Sequence, residues 1–193
     1  MNYSPEKREI TLNRKVNNLD KFVIDFTSLL DNYVIVSGYV SILLGRTRAT
    51  EDVDLLTPKM SKEEFSKLWI KLHDGGFWCI NTPKIEDAWD LLKEHAIRFG
   101  KGKNPLPNME FKIIKNDLDQ FSYENKLKVL IGGNVLYISP IELQIAYKLF
   151  LGSEKDIEDA RHLYKLLKDK INKEELLNSL DKLEVKDKMG FLE

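Results

Sequence analysis

"GRTRATEDVDLL", residues 45–56, places Asp52 and Asp54 one residue apart at the head of an apolar run, with Gly45, Arg46 and Arg48 just upstream. The run "DVDLL" predicts a strand, and alternate side chains of a strand share a face. Asp52 and Asp54 then point one way while Val53 and Leu55 point the other. Two carboxylates that close resist joint ionisation unless a cation lies between them. Hard oxygen ligands in this arrangement suit a divalent cation, Mg²⁺ or Mn²⁺, which takes one or two carboxylates together with substrate phosphates. The plain alternative is a solvated strand end carrying two acids.

Outward from this stretch, "YVIV" (33–36) is a continuous β-branched run and predicts a buried strand, closed by Ser37-Gly38. Tyr39 to Leu44 predicts a short helix ended by Gly45. Amides at Ser37-Gly38 would then be free at a helix start, a place for phosphate oxygens. Before the strand, Leu19, Phe22, Val23, Phe26, Leu29 and Leu30 recur at helical spacing within Val16–Leu30. The first fifteen residues are polar and are expected to form a loose arm.

Downstream, Ser61, Glu64 and Gly75-Gly76 bracket a capped helix. "FWCI", "HAIRFG" and "MEFKII" predict strands, "EDAWDLLKE" a short helix, and "KLKVLIGGNVLYI" a hairpin about Gly132-Gly133-Asn134. "RFGKGKNPLPN" carries Arg98, Lys101 and Lys103 and is expected to be a mobile basic loop, either a solvated connection or a place for the backbone of an RNA acceptor. After Ser139-Pro140 three amphipathic helices follow, each with a start signal. The expected organisation is an α+β core over 1–138, a mixed sheet flanked by helices, with a helical region over 139–193 packed on it.

Composition narrows the function classes. Lys+Arg 30 against Asp+Glu 31 leaves a net charge of −1, so no global basic field argues for nucleic acid. The lone Cys79 in "GFWCI" predicts a buried inert thiol, and three widely spaced histidines provide no zinc set. "YVIVSGYVSILLG" is too short and interrupted to span a bilayer, and the start lacks a signal-peptide core, so a cytoplasmic protein without membrane contact is expected.

"SGYVSILLGRTRATEDVDLL" resembles the signature of the nucleotidyltransferase-fold superfamily, the polymerase-beta-like enzymes. It is similar in particular to minimal and abortive-infection-type toxin members. Gly45, Arg48, Thr50, Asp52 and Asp54 match the family's G-x-x-R-x-T-x-D-x-D. "IELQIAYKLFLGSEKDIEDARHLYKLL" resembles its helical segment, and together the matches span about residues 33–167. Ser37 stands where the family usually has the first glycine of its turn, and Glu110 where its third carboxylate is usually Asp.

The resemblance implies a nucleotidyltransferase-like α+β fold and Mg²⁺-dependent transfer of a nucleoside monophosphate from an NTP, such as ATP, to an RNA, protein or small-molecule acceptor. Asp52, Asp54 and Glu110 would hold the metal and act in catalysis, with Asp117 or Asp119 as substitutes for Glu110. Ser37, Gly38, Arg48, Lys148, Lys155 and Asp156 would border the nucleotide. A tRNA end as acceptor and an antitoxin-like protein partner are compatible with it. Residue by residue, the bland readings are a surface Glu–Lys strand pair for Glu110, a structural ion pair for Arg46 or Arg48, a turn-holding hydroxyl for Thr50, a snorkelling Lys148 and ordinary helix-start charges for Lys155 and Asp156. The alternative function is a non-catalytic relative that binds a nucleotide or partner.

Overall fold

The structure, a computed structural model, describes residues 1–193. Nine strands form one mixed sheet: β1 (Asn2–Ser4), β2 (Glu9–Leu12), β3 (Val34–Val36), β4 (Asp52–Thr57), β5 (Phe77–Cys79), β6 (Ile97–Lys101), β7 (Asn104–Ile113), β8 (Leu127–Ile131) and β9 (Asn134–Ile138). Their order across the sheet is β1-β2-β8-β9-β3-β4-β7-β6-β5. The pairs β2/β8, β3/β9 and β4/β7 are parallel and the remainder antiparallel. Eight α-helices surround the sheet: α1 (Asn18–Thr27), α2 (Gly38–Leu43), α3 (Lys62–Asp74), α4 (Ile85–Glu94), α5 (Asp117–Glu124), α6 (Ile141–Leu151), α7 (Glu154–Leu167) and α8 (Lys173–Lys182), before a final 3₁₀ turn over Lys186–Leu192.

The two faces of β4 and β7 carry different chemistry. Val53, Leu55, Met109 and Phe111 point to one side and are fully buried. There Phe26 of α1 meets Phe77, Phe99 and Phe111 with ring centroids 5.0–6.4 Å apart. Such edge-on and tilted contacts are the favoured geometry for aromatic rings. On the other side, Val34, Leu56 and Ile114 form a small apolar cluster against Tyr123 of α5. This cluster covers only one end of the face. At the other end Asp52 and Asp54 stay half-buried, so polarity changes along a single strand face.

The expected loose arm is instead structured. β1 and β2 pair with each other, and β2 adds in parallel to β8. The reason lies in Tyr3, Ile10 and Leu12, whose alternation buries one face of an otherwise polar stretch. Arg14 anchors the following turn: it binds Asp20 through two hydrogen bonds of 2.5 and 2.9 Å and donates to the Leu43 carbonyl. The expected basic loop is likewise replaced, by a tight turn at Gly102-Lys103 between β6 and the long β7. Lys101 is held by Asp25 at 2.5 Å over the Phe77 ring.

Helices α3 and α6 form where caps and breakers place them. Ser61 and Glu64 close a capping box on α3. Pro140 precedes α6, and Gly152 at φ 71° ends it in the left-handed conformation that favours glycine. Ile141, Ile145, Leu149, Ala160 and Leu163 join the same apolar cluster as the sheet. No helix is long and apolar enough to cross a membrane.

Candidate active site

Asp52 and Asp54 stand on one face of β4, and the β4/β7 register sets Asn108 opposite Asp52 and Glu110 opposite Asp54. Asp54, Glu110 and Lys112 therefore gather on adjacent strands. The Lys112 ammonium lies 2.7 Å from Asp54 and 3.3 Å from Glu110. Burial would lower the Lys112 pKa, but the two carboxylates outweigh burial and hold it above its ordinary value. Arg98, the cross-strand neighbour of Glu110 on β6, approaches it at 3.6 Å. Asp52 accepts a 2.9 Å hydrogen bond from Asn108 Nδ2, and the Thr50 hydroxyl donates to the Asp52 carbonyl at 2.8 Å, holding the turn.

Whether these residues suit a divalent cation can be judged from the donor set. As placed, no three His, Cys, Asp or Glu side chains converge on one point. Lys112 already occupies the space between Asp54 and Glu110. Magnesium, however, needs only one or two carboxylates besides phosphate and water. Asp52 and Asp54 meet that count, and Asn108, whose buried Oδ1 has no hydrogen-bond partner, bonds Asp52 through its Nδ2. The fit is to a two-aspartate site, with Glu110 held by Lys112 and Arg98.

A cavity of about 370 Å³ opens next to this cluster. Its lining includes Ser37, Asp54 and Lys112, Gln144, Tyr147 and Leu151 of α6, and Leu118 and Asp119 of α5. Helix α5, absent from the sequence reading, begins at the Asn116 cap, and its placement makes the cavity. Asp119 is engaged by the Lys115 amide, and Asp117 is exposed.

Ser37 sits at φ 62°, ψ −135°, a conformation that favours glycine. Serine thus occupies a glycine-type turn without the glycine. Gly38 has a different constraint: a Cβ there would lie 2.6 Å from Arg48 Nη2. Tyr39, fully buried, donates its hydroxyl to Asp20 at 2.8 Å and fixes α2 from behind. Burial first, then the Asp20 charge, raise the Tyr39 pKa far above its usual value.

Arg48, Lys148 and Asp156 do not line the cavity. Arg48 forms a two-pronged pair with the fully buried Asp159, at 3.0 and 2.8 Å. Lys148, only 2% exposed, lies 2.7 Å from Asp156 and 3.2 Å from Asp159. Arg46 completes the network through Glu158 and Asp159. Burial pushes the Asp156 carboxyl up, but its bonds from Lys148 and Ser153 bring it below its usual range. Lys155 is exposed at the helix start. The segment that resembles the family's helical block therefore ties α6 and α7 to the turn before β4, with Asp159 at its hub.

No family model matches the sequence, and no curated protein shows significant similarity to it. Solved structures do match. An antigenic nucleotidyltransferase-like protein from Paracoccidioides brasiliensis superposes with a TM-score of 0.56 at 16% identity, over 92% of each chain. ANT(2")-Ia, solved with adenylyl-2"-tobramycin, gives 0.57 at 15% identity, over 89% of this chain and 99% of that one. The chain has the nucleotidyltransferase fold. Within that fold Asp52, Asp54 and Glu110 share the β4/β7 face, and the cavity that Asp54 lines is also lined by residues of α6.

Proposed function

We propose that the protein transfers a nucleoside monophosphate from an NTP to an acceptor hydroxyl. The observation that carries this reading is the placement of Asp52, Asp54 and Glu110 on one face of β4 and β7, with Asp54 lining a cavity, on a nucleotidyltransferase fold. The acceptor oxygen attacks the α-phosphorus, the α–β phosphoanhydride bond breaks, and pyrophosphate leaves. The acceptor's proton passes to a carboxylate of the cluster, with Glu110 placed for it beside Asp54. A divalent cation bound by Asp52 and Asp54 would neutralise the triphosphate and the charge that builds at phosphorus. Lys112, already in the cluster, is the nearest cation to meet phosphate oxygens, and Ser37 borders the same space. Lys148 and Arg48 support the site by holding α6, α7 and the Gly38 turn.

An RNA end, a protein hydroxyl and a small molecule all remain compatible as acceptors; the adenylyl-tobramycin of the structural neighbour is an example of the last. A toxin-like role beside an antitoxin rests on the motif resemblance. The second reading is a non-catalytic nucleotide binder. It is favoured by one observation: the Lys112 ammonium fills the gap between Asp54 and Glu110. Incubation with labelled NTPs, Mg²⁺ and total RNA, lysate or amino-sugars separates the two. Label transferred by the wild type and abolished in Asp54→Asn supports the enzyme. Mg²⁺-dependent binding without transfer to any acceptor class leaves the binder.

A further inference from the structure

Gln144 is an anomaly. It is 2% exposed, yet its amide oxygen is sealed from solvent without a hydrogen-bond partner. An orphaned buried acceptor costs about 1–3 kcal/mol, and native interiors keep few of them. The residue lines the same cavity as Asp54 and Lys112. Tyr147 and Leu151 follow at helical spacings of three and seven residues and line it too. The cavity thus joins charged groups of β4 and β7 to an aromatic ring, aliphatic surface and an unspent amide of α6.

We infer that Gln144 and Tyr147 bind the nucleobase of the nucleotide, Gln144 by its edge and Tyr147 by its face. This rests on the proposal that the carboxylate cluster takes an NTP, and deepens it. A base attached to a triphosphate needs a polar hydrogen-bonding edge, a flat apolar contact and, several ångströms away, cations for phosphate. Gln144 and Tyr147 of α6 supply the first two and Lys112 of β7 the cation, all in the lining of one cavity. An amide presents a donor and an acceptor side by side, and such a pair matches an adenine edge in two parallel hydrogen bonds. Rotation about the terminal torsion exchanges the two ends, so the amide adapts to the base that enters. Base–aromatic contacts contribute about 1–3 kcal/mol each. Gln144 is in this sense a specificity residue.

The test compares ATP with inorganic triphosphate by calorimetry, both with Mg²⁺, for the wild type, Gln144→Leu and Tyr147→Ala. Inorganic triphosphate has no base and so reads the charged groups alone. The expected result is an ATP affinity about tenfold lower in each variant, which is about 1.4 kcal/mol, with triphosphate affinity unchanged. The melting temperature of Gln144→Leu without ligand should rise, because leucine fills the same space and removes the orphaned acceptor. ATP bound equally by all three proteins overturns the inference while sparing the proposed function. Wild type that binds neither compound overturns both. A Gln144→Leu protein that loses affinity for triphosphate as much as for ATP reports a general disturbance and also overturns it.

Discussion

Asp54 of β4 and Glu110 of β7 face each other across a parallel strand pair and hold one ammonium between them, that of Lys112, at 2.7 Å and 3.3 Å. A pair of carboxylates that needs a cation has one supplied by its own strand, two residues beyond Glu110. Asp54 also belongs to the two-aspartate cation site, so the ammonium and a divalent ion draw on the same local negative charge.

Lys112→Met should therefore leave Asp54 and Glu110 in mutual repulsion and lower stability by about 1 kcal/mol, a modest figure because the lysine is one-third exposed. Millimolar Mg²⁺ should restore more of the melting temperature in this variant than it adds to the wild type. Equal Mg²⁺ responses in the two proteins would show that Lys112 does not occupy a cation position.

Ser37→Gly should stabilise the protein by about 1 kcal/mol. The turn holds Ser37 at φ 62°, ψ −135°, where a Cβ is strained and glycine is not. The greater freedom of glycine in the unfolded chain offsets part of this gain. Chemical denaturation reads the difference directly; a loss of stability would mean the serine hydroxyl contributes more than its backbone costs.

Much of this architecture was legible from residue pattern. The D-x-D strand, the capped α3, the Gly132-Gly133 hairpin and the three final helices stand where their caps, breakers and periods place them. Four features were not. The strands of residues 2–12 carry too few apolar residues to stand out, and only pairing with β8 gives them a place. Helix α5 lacks an apolar stripe of usual width and shows itself only by the Asn116 cap. In the site, the sequence names Asp52, Asp54 and Glu110 and offers Lys112 only as the partner of Glu110 in a surface strand pair; its contact with Asp54 comes from register with a strand 58 residues away. Gln144 had no signal at all, since an orphaned acceptor is a property of the packed structure.

The acid limb of stability should depend on Asp20. It is fully buried, and burial alone would raise its pKa. Arg14, the Asn17 amide and the Tyr39 hydroxyl outweigh that and hold it below 3.8. A depressed carboxyl stabilises the fold above its unfolded pKa, and the contribution is lost as pH falls through the lower folded value. Asp20→Asn should thus be clearly less stable than wild type at neutral pH, and the gap should narrow below about pH 4. Melting temperatures from pH 2.5 to 7 check it; a gap independent of pH would place the loss in packing around Tyr39 instead.

Lys148 separates a ligand-binding role from a structural one. The resemblance implies that it touches triphosphate, whereas its ammonium lies 2% exposed between Asp156 and Asp159 and off the cavity wall. Removing one member of a buried charge cluster leaves the others uncompensated and typically costs about 3–5 kcal/mol. Lys148→Met keeps the apolar stem and removes only the charge. Asp159 retains Arg48, but Asp156 keeps only Ser153 among its close partners, so a loss of about 3 kcal/mol is expected. If Lys148 is structural, the double change Lys148→Met with Asp156→Leu should recover part of that loss, because the stranded carboxylate goes with its partner. Mg²⁺-dependent NTP binding, measured well below the melting temperature, should then stay within about threefold of wild type, a difference of about 0.7 kcal/mol. A double variant that is as stable as expected but no longer binds NTP would return Lys148 to the nucleotide.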